Sequence, residues 1–488
     1  MANYNRTTTT NSPRLPAALT EGPILRAILQ LSVPIVAANI LQSAYSMTDT
    51  FWVGRISPNA VAAVTLSFPI NFLLIAIGGG LPIAGSVLIA QYKGRGDDAA
   101  MNHVAAQTLV MVFLVSLILA GSGFMLAEPT MRLMKAEPDV LPDAVRFMQV
   151  SCFSFPFVFG FYVYQSLMRG LGEVKTPVYI VLVTVLLNLV LDPFFIFGWG
   201  PVPAWGVAGA AVATVFTQGI ATAIGFWLLF SGRYGLRLRL VDFRPDWAFM
   251  WRAFRLGVPA SLEQALRALS LMMLTFLVSP FGKTVMAAFG VGLRVTTFVL
   301  IPAMGFSMAT STLVGQNIGA GKIDRAARTN TIATPLSFGV LQVFGFLLMI
   351  FARPVSLVFL PDGGRPVDMS VTYIWIVAST FGCIGVQQVI TGTFRGAGDT
   401  TAAMLQTLVS QWVLRFPLAY VLSQHTPLAQ DGVWWSINIS NVLAAIVTLV
   451  WLAGGKWKTK KLIEEMRREE RLQEQVAEEA ALEEGIST

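Results

Sequence analysis

Between Ile24 and Gly454 the chain alternates long apolar stretches with short polar ones, and this alternation constrains the fold more than any single motif. About 20 apolar residues in a row are what a helix needs to cross the roughly 30 Å hydrocarbon layer of a bilayer. Inside lipid every backbone donor and acceptor must be satisfied by the protein, so such stretches fold as spanning helices. A window of that length finds about twelve, near 24–53, 60–91, 104–127, 145–168, 177–198, 206–230, 250–279, 285–315, 331–352, 371–394, 402–423 and 431–454. With 55% hydrophobic and only 12% charged residues, a soluble protein of 488 residues is excluded. The expected class is an all-α integral membrane protein.

The net charge of +7 would suggest nucleic acid in a soluble domain, but here the basic residues lie between apolar runs. Lys93, Arg95, Arg169, Lys175, the segment Arg233 to Arg255 and Lys322 to Arg328 fall in alternate loops. The opposite loops hold few, such as Arg55, Arg132, Lys135 and Arg365. By the positive-inside rule both termini are cytoplasmic. Residues 1–23 read as a polar cytoplasmic tail without the pattern of a secretory signal. Residues 456–488 read as a charged helical cytoplasmic tail. Cys152 and Cys383 lie in apolar stretches and read as packing residues.

The chain also repeats itself. LSVP ending at Pro34 recurs as LGVP ending at Pro259, and IAQYKGRGD around Gln91 recurs as VGQNIGAGK around Gln316, both at a shift of 225 (259 − 34, 316 − 91). MRGLGE recurs as FRGAGD at a shift of 226, from Arg169 to Arg395. Two six-span units, 24–230 and 250–455, joined by a cytoplasmic linker at 231–249, therefore enter the bilayer from the same side. That makes two six-helix lobes related by a parallel internal repeat, with a pseudo-two-fold along the membrane normal.

The repeat is uneven in charge. Asp49 and Asp192 lie in spans 1 and 5, and their counterparts in the second half are Leu274 and Leu418. An ionisable group in a spanning helix costs roughly 2.5–3.5 kcal/mol on insertion scales and marks a functional site by default. Both acids stand five or six residues from the outer ends of their spans, at similar depth. Asn188 is one turn before Asp192, and Tyr45 one turn before Asp49. Pro34 and Pro193 free the carbonyls of Gln30 and Leu189. Such oxygens suit Na⁺ or a shared proton, because two carboxylates in low dielectric cannot both ionise cheaply. The alternative reading makes Asp49 a helix cap and Asp192 the start of a turn. In the second half, Glu263 and Arg267 stand four apart, a spacing that suits an internal salt bridge over a ligand role. Arg294 and Arg415 lack an obvious partner and either bind an anionic substrate group or snorkel.

Enzyme motifs are missing. GQNIGAGKI lacks the spacing and hydroxyl of a phosphate loop, and His103 and His425 are too far apart to suggest a metal motif. Arg95-Gly96-Asp97 falls in a turn and gets no adhesion role. Neither an enzyme nor a cofactor is expected, beyond a coupling ion.

Taken together, TDTFWVG, VLIAQYKGRGD with STLVGQNIGAGKID, and MRGLGEVKTP with FRGAGDTT resemble the multidrug and toxic compound extrusion (MATE) family, over about residues 20–455. Asp49, Asp192 and Asn188 are similar to its DinF-like prokaryotic branch, although Glu263 also stands in span 7, where other branches keep their acid. The resemblance implies a V-shaped antiporter of the cytoplasmic membrane that exports organic, often cationic, compounds against H⁺ or Na⁺. It implies a cation site at Asp49, Asn188, Asp192 and Thr214, a hinge at Pro34, and a cavity lined by Tyr45 and Gln165, to which Arg294 is added as a candidate anion contact. The expected partners are small organic molecules and lipid, with no nucleic acid and a monomeric state. The rival reading is a flippase of a lipid-linked saccharide, which would use Arg267, Arg294 and Arg415 for a pyrophosphate.

Overall fold

The computed structural model describes residues 19–134, 136–199, 203–460 and 462–463. Lys135, the N-terminal tail before Leu19 and the acidic tail after Ile463 lie outside the described residues. The helices are α1 (Ile24–Val53), α2 (Pro58–Arg95), α3 (Asp98–Leu133), α4 (Leu141–Leu171), α5 (Lys175–Phe197), α6 (Val207–Phe230), α7 (Trp247–Val278), α8 (Lys283–Gly319), α9 (Ile323–Ile350), α10 (Ala352–Phe359), α11 (Arg365–Ala378), α12 (Phe381–Gly396), α13 (Thr400–Leu408), α14 (Phe416–Gln424) and α15 (Gln430–Ala453). Ten are long and apolar enough to cross a membrane, and α11 with α12 forms a further span bent by 50°. Helices α13 and α14 are joined by a π-helical segment, Val409–Arg415, into one more rod. This is the all-α, two-times-six pattern, with corrections in the second half. The tenth span is broken near Thr380 rather than continuous over 371–394, and the short α10 was not expected.

Large apolar side chains stand on the outside, among them Met125 at 80% and Phe276 at 74% exposure, as lipid-facing residues do. The polar turns follow simple capping rules. Gly96 (φ 77°) closes α2 in the left-handed region that favours glycine, and the Asp97 side chain accepts the Ala100 amide at 3.0 Å to start α3. Gly398 (φ 84°) and Asp399 do the same between α12 and α13. The Arg-Gly-Asp tripeptide is thus a helix-to-helix turn. The linker is pinned to α3 by buried Gln107, which donates to the Asp242 and Arg244 carbonyls at 2.9 and 2.7 Å and accepts from the Asp246 amide at 2.9 Å.

The halves interlock at the end where α2, α4, α8 and α12 finish. The first part of α1, from Ala27 to Ile35, packs into the core of the second half, and Phe249 to Leu256 of α7 pack into the core of the first. Gln91 donates to the Gly396 carbonyl at 2.9 Å, and its repeat counterpart Gln316 donates to the Gly170 carbonyl at 2.9 Å. Gly94 and Gly319 lie so close to the backbone of Gln316 and Gln91 that a Cβ on either would collide with a carbonyl. Gly80 against Gly257 and Ser261 repeats as Gly305 against Ser32 and Val36. On the pseudo-axis itself Gly315 meets Ala90, its own counterpart: a Cβ on Gly315 would lie 3.0 Å from that of Ala90. Small residues let helices approach this closely where lipid gives no hydrophobic drive for association.

Candidate functional site

Three helices of the first half build one buried polar site. From α5 come Asn188 and Asp192, both 0% exposed, with the Asn188 Nδ2 donating to Asp192 Oδ1 at 2.8 Å. The one-turn spacing places both side chains on the face of α5 that packs against α1 and α6. From α1 comes Asp49, whose carboxylate lies beside Asp192, Asn188 and Thr214. From α6 come Thr214 and Thr217. The Thr217 hydroxyl gives its proton to the Ala213 carbonyl at 2.9 Å or that of Thr214 at 3.2 Å, so the Tyr45 hydroxyl donates to Thr217 at 2.6 Å. The alternative placing of Asp49 and Asp192 at a cap and a turn is set aside, since both acids lie inside continuous helices.

The site is short of donors. Asp49 Oδ1, Asn188 Oδ1 and Asp192 Oδ2 are all buried without a hydrogen-bond partner. Buried acceptors left unpaired cost free energy, and carboxylates more than most. A proton shared between the acids, or a small cation among the three oxygens, would supply what is missing.

The remaining candidates are placed differently. Pro34 lies within an unbroken α1, where the segment Ser32 to Val36 is clasped by Gly305 of α8. Gln165, on α4, is half-buried and is not among the groups close to the carboxylates. Arg294 is exposed on α8, its guanidinium 5.3 Å from the ring centre of Phe359. Arg415 does have partners, Gln411, Ser440 and Asn441, supplied by the π-helical segment and by α15. Glu263 forms the expected pair with Arg267 at 2.9 Å, and a second that sequence reasoning missed, with Arg395 at 2.8 Å. Thr407 adds a longer contact at 3.4 Å. With both oxygens engaged, Glu263 has little left to offer a cation. Thr217 was also missed, though its position three residues after Thr214 puts it on the same helix face.

Comparison with known proteins fits this geometry. The MatE family model matches residues 34–194 and 259–421, one match per half. The chain is 28% identical over 451 residues to the probable multidrug resistance protein YpnP of Bacillus subtilis, covering 91% of this chain and 98% of that protein. It is 24% identical over 449 residues to the probable multidrug resistance protein NorM of Thermotoga maritima, covering 92% and 96%. A solved structure described as the outward-facing conformation of a multidrug resistance MATE family transporter superposes with a TM-score of 0.81 at 25% identity, over 91% of this chain and 98% of that one. Two interlocked six-helix halves, each matched by the same family model, place this chain in the MatE family of multi-pass membrane transporters, not among enzymes.

Proposed function

We propose that the chain is a cation-coupled antiporter that exports organic, often cationic or amphipathic, compounds from the cytoplasm, with both termini cytoplasmic and H⁺ or Na⁺ as the coupling ion. The observation that carries this reading is the set of three donor-less oxygens on Asp49, Asn188 and Asp192. Two carboxylates and an amide form a hard oxygen set that suits a proton or a monovalent cation. Relatives named for multidrug resistance support the direction and the class of cargo. They lend no support to the flippase alternative.

In this mechanism, positive charge entering from outside neutralises the acids and relieves their repulsion. The neutralised lobe then favours a bend of α1 at Pro34, where no backbone donor ties the proline to Gln30, and the bend shrinks the cavity beside Tyr45 and Gln165. Moving one elementary charge through 100 mV supplies about 2.3 kcal/mol, enough for roughly fifty-fold accumulation. Proteoliposomes loaded with ethidium, driven separately by pH and sodium gradients, test the reading. Asp49→Asn and Asp192→Asn should each lower gradient-driven transport at least about tenfold. Undiminished coupled transport in both variants would remove the proposal.

A further inference from the structure

We propose that the second half carries an anion-recognition site, centred on Arg415 and Arg267, that takes the carboxylate of a transported organic solute. The proposal rests on the transport reading above and adds a substrate class to it. It starts from a count of charges. Glu263 supplies one negative charge and is met by two guanidiniums, Arg267 on its Oε1 at 2.9 Å and Arg395 on its Oε2 at 2.8 Å. A third guanidinium, Arg415, donates to Gln411, which also accepts from Ser270, one turn from Arg267 on α7. Among the described residues, one carboxylate against three guanidiniums leaves two positive charges without a paired carboxylate.

The way Arg415 is held points to a ligand. Its Nε donates to Ser440 Oγ at 3.0 Å, its Nη1 to Gln411 Oε1 at 2.6 Å and its Nη2 to Asn441 Oδ1 at 2.7 Å. All three acceptors are neutral, so they orient the guanidinium and leave its charge in place. A side chain that merely snorkelled would carry its head to the polar surface instead. Gln411 also accepts from Ser270 at 3.3 Å, which ties the π-helical segment to the face of α7 one turn beyond Arg267. Single π turns inside helices are frequent at functional sites. Arg267 keeps its side chain 30% exposed, so the cluster is open to an incoming group, and its Nε is buried without an acceptor. Two fixed guanidiniums with spare N–H groups match the flat, two-oxygen geometry of a carboxylate. The two halves thereby present opposite polarity, acids with missing donors in one and guanidiniums in excess of carboxylates in the other.

Equilibrium dialysis of the purified full chain in detergent, with a fluoroquinolone and its methyl ester as probes, tests the proposal, since the two differ only at the carboxylate. The acid should bind about tenfold tighter than the ester at neutral pH, and benzoate should compete with the acid more strongly than with the ester. Arg415→Gln should reduce the preference to less than about twofold, and Arg415→Lys should restore part of it. Equal binding of acid and ester to the unmodified protein would overturn the proposal, and this comparison decides it even if Arg415→Gln does not fold. A preference left intact in both Arg415→Gln and Arg267→Gln would also overturn it. Ethidium, which has no carboxylate, reads export separately: flux of ethidium without acid preference discards the anion site alone, whereas no driven flux of any probe discards the export reading.

Discussion

Buried carboxylates in this protein meet two opposite fates. Glu263 is matched by Arg267 and Arg395, while Asp49 and Asp192 face each other with only an amide and hydroxyl groups nearby. Removing one partner of a buried ion pair strands the other, at a cost of about 3–5 kcal/mol. Glu263→Gln should therefore lower the thermal unfolding midpoint in detergent markedly. Asp192→Asn should leave that midpoint unchanged or raise it, because it removes a charge whose burial is uncompensated, even as coupling is lost. A scan in which both variants fell equally would contradict the assignment. The acid pair was legible in the sequence because two apolar spans carried one carboxylate each, at matching depth, and the repeat showed leucines opposite. Arg395 was not legible: it belongs to a repeated turn motif, and only the continuation of α12 to Gly396 brings its side chain back to α7.

Among the elements, α2 and α8 decide whether the interlocked end, where α2, α4, α8 and α12 finish, is shut. Their crossing depends on Gly94 and Gly319, where a methyl group would collide with a carbonyl, and on Gln91 and Gln316, each bonded to a backbone oxygen of the opposite half. Overpacking of this kind costs typically about 1–3 kcal/mol. Gly319→Ala should push the helices apart and raise the labelling rate of an introduced cysteine at Ala90 by a water-soluble maleimide. Gly290→Ala, with nothing within 4 Å of the added carbon, serves as the control and should leave that rate unchanged. The lengths of these helices were readable from hydropathy. The break near Thr380 was not, since there the Gly382 amide turns to Gln342 and the Ile376 carbonyl accepts from Asn438 of neighbouring helices; nor was the π turn, a local shift of hydrogen-bond register that the apolar pattern does not mark.

At the scale of the whole molecule, the proposed antiport requires the interlocked end to separate. Ala90 and Gly315 are close enough for a pair of cysteines to bond after a small shift. With Cys152 and Cys383 replaced, Ala90→Cys combined with Gly315→Cys should lose driven ethidium transport on oxidation and regain it on reduction. Transport that persists with the bond formed would show that this end need not open. The two-fold arrangement itself was legible from the shifts of 225 and 226. The exchange of α1 and α7 between the cores was not, because the hydropathy of a span does not reveal which lobe it packs against.

A surface on which a residue faces its own counterpart is what two identical subunits use to form a closed pair. Ala90 against Gly315, with Gln91 and Gln316 each donating to a backbone carbonyl of the opposite half, is that kind of surface inside a single chain. A separate half would have had to serve both roles with one set of side chains. Joining the copies end to end released each from its twin, so that one could gather acids and the other arginines without a matching change across the axis.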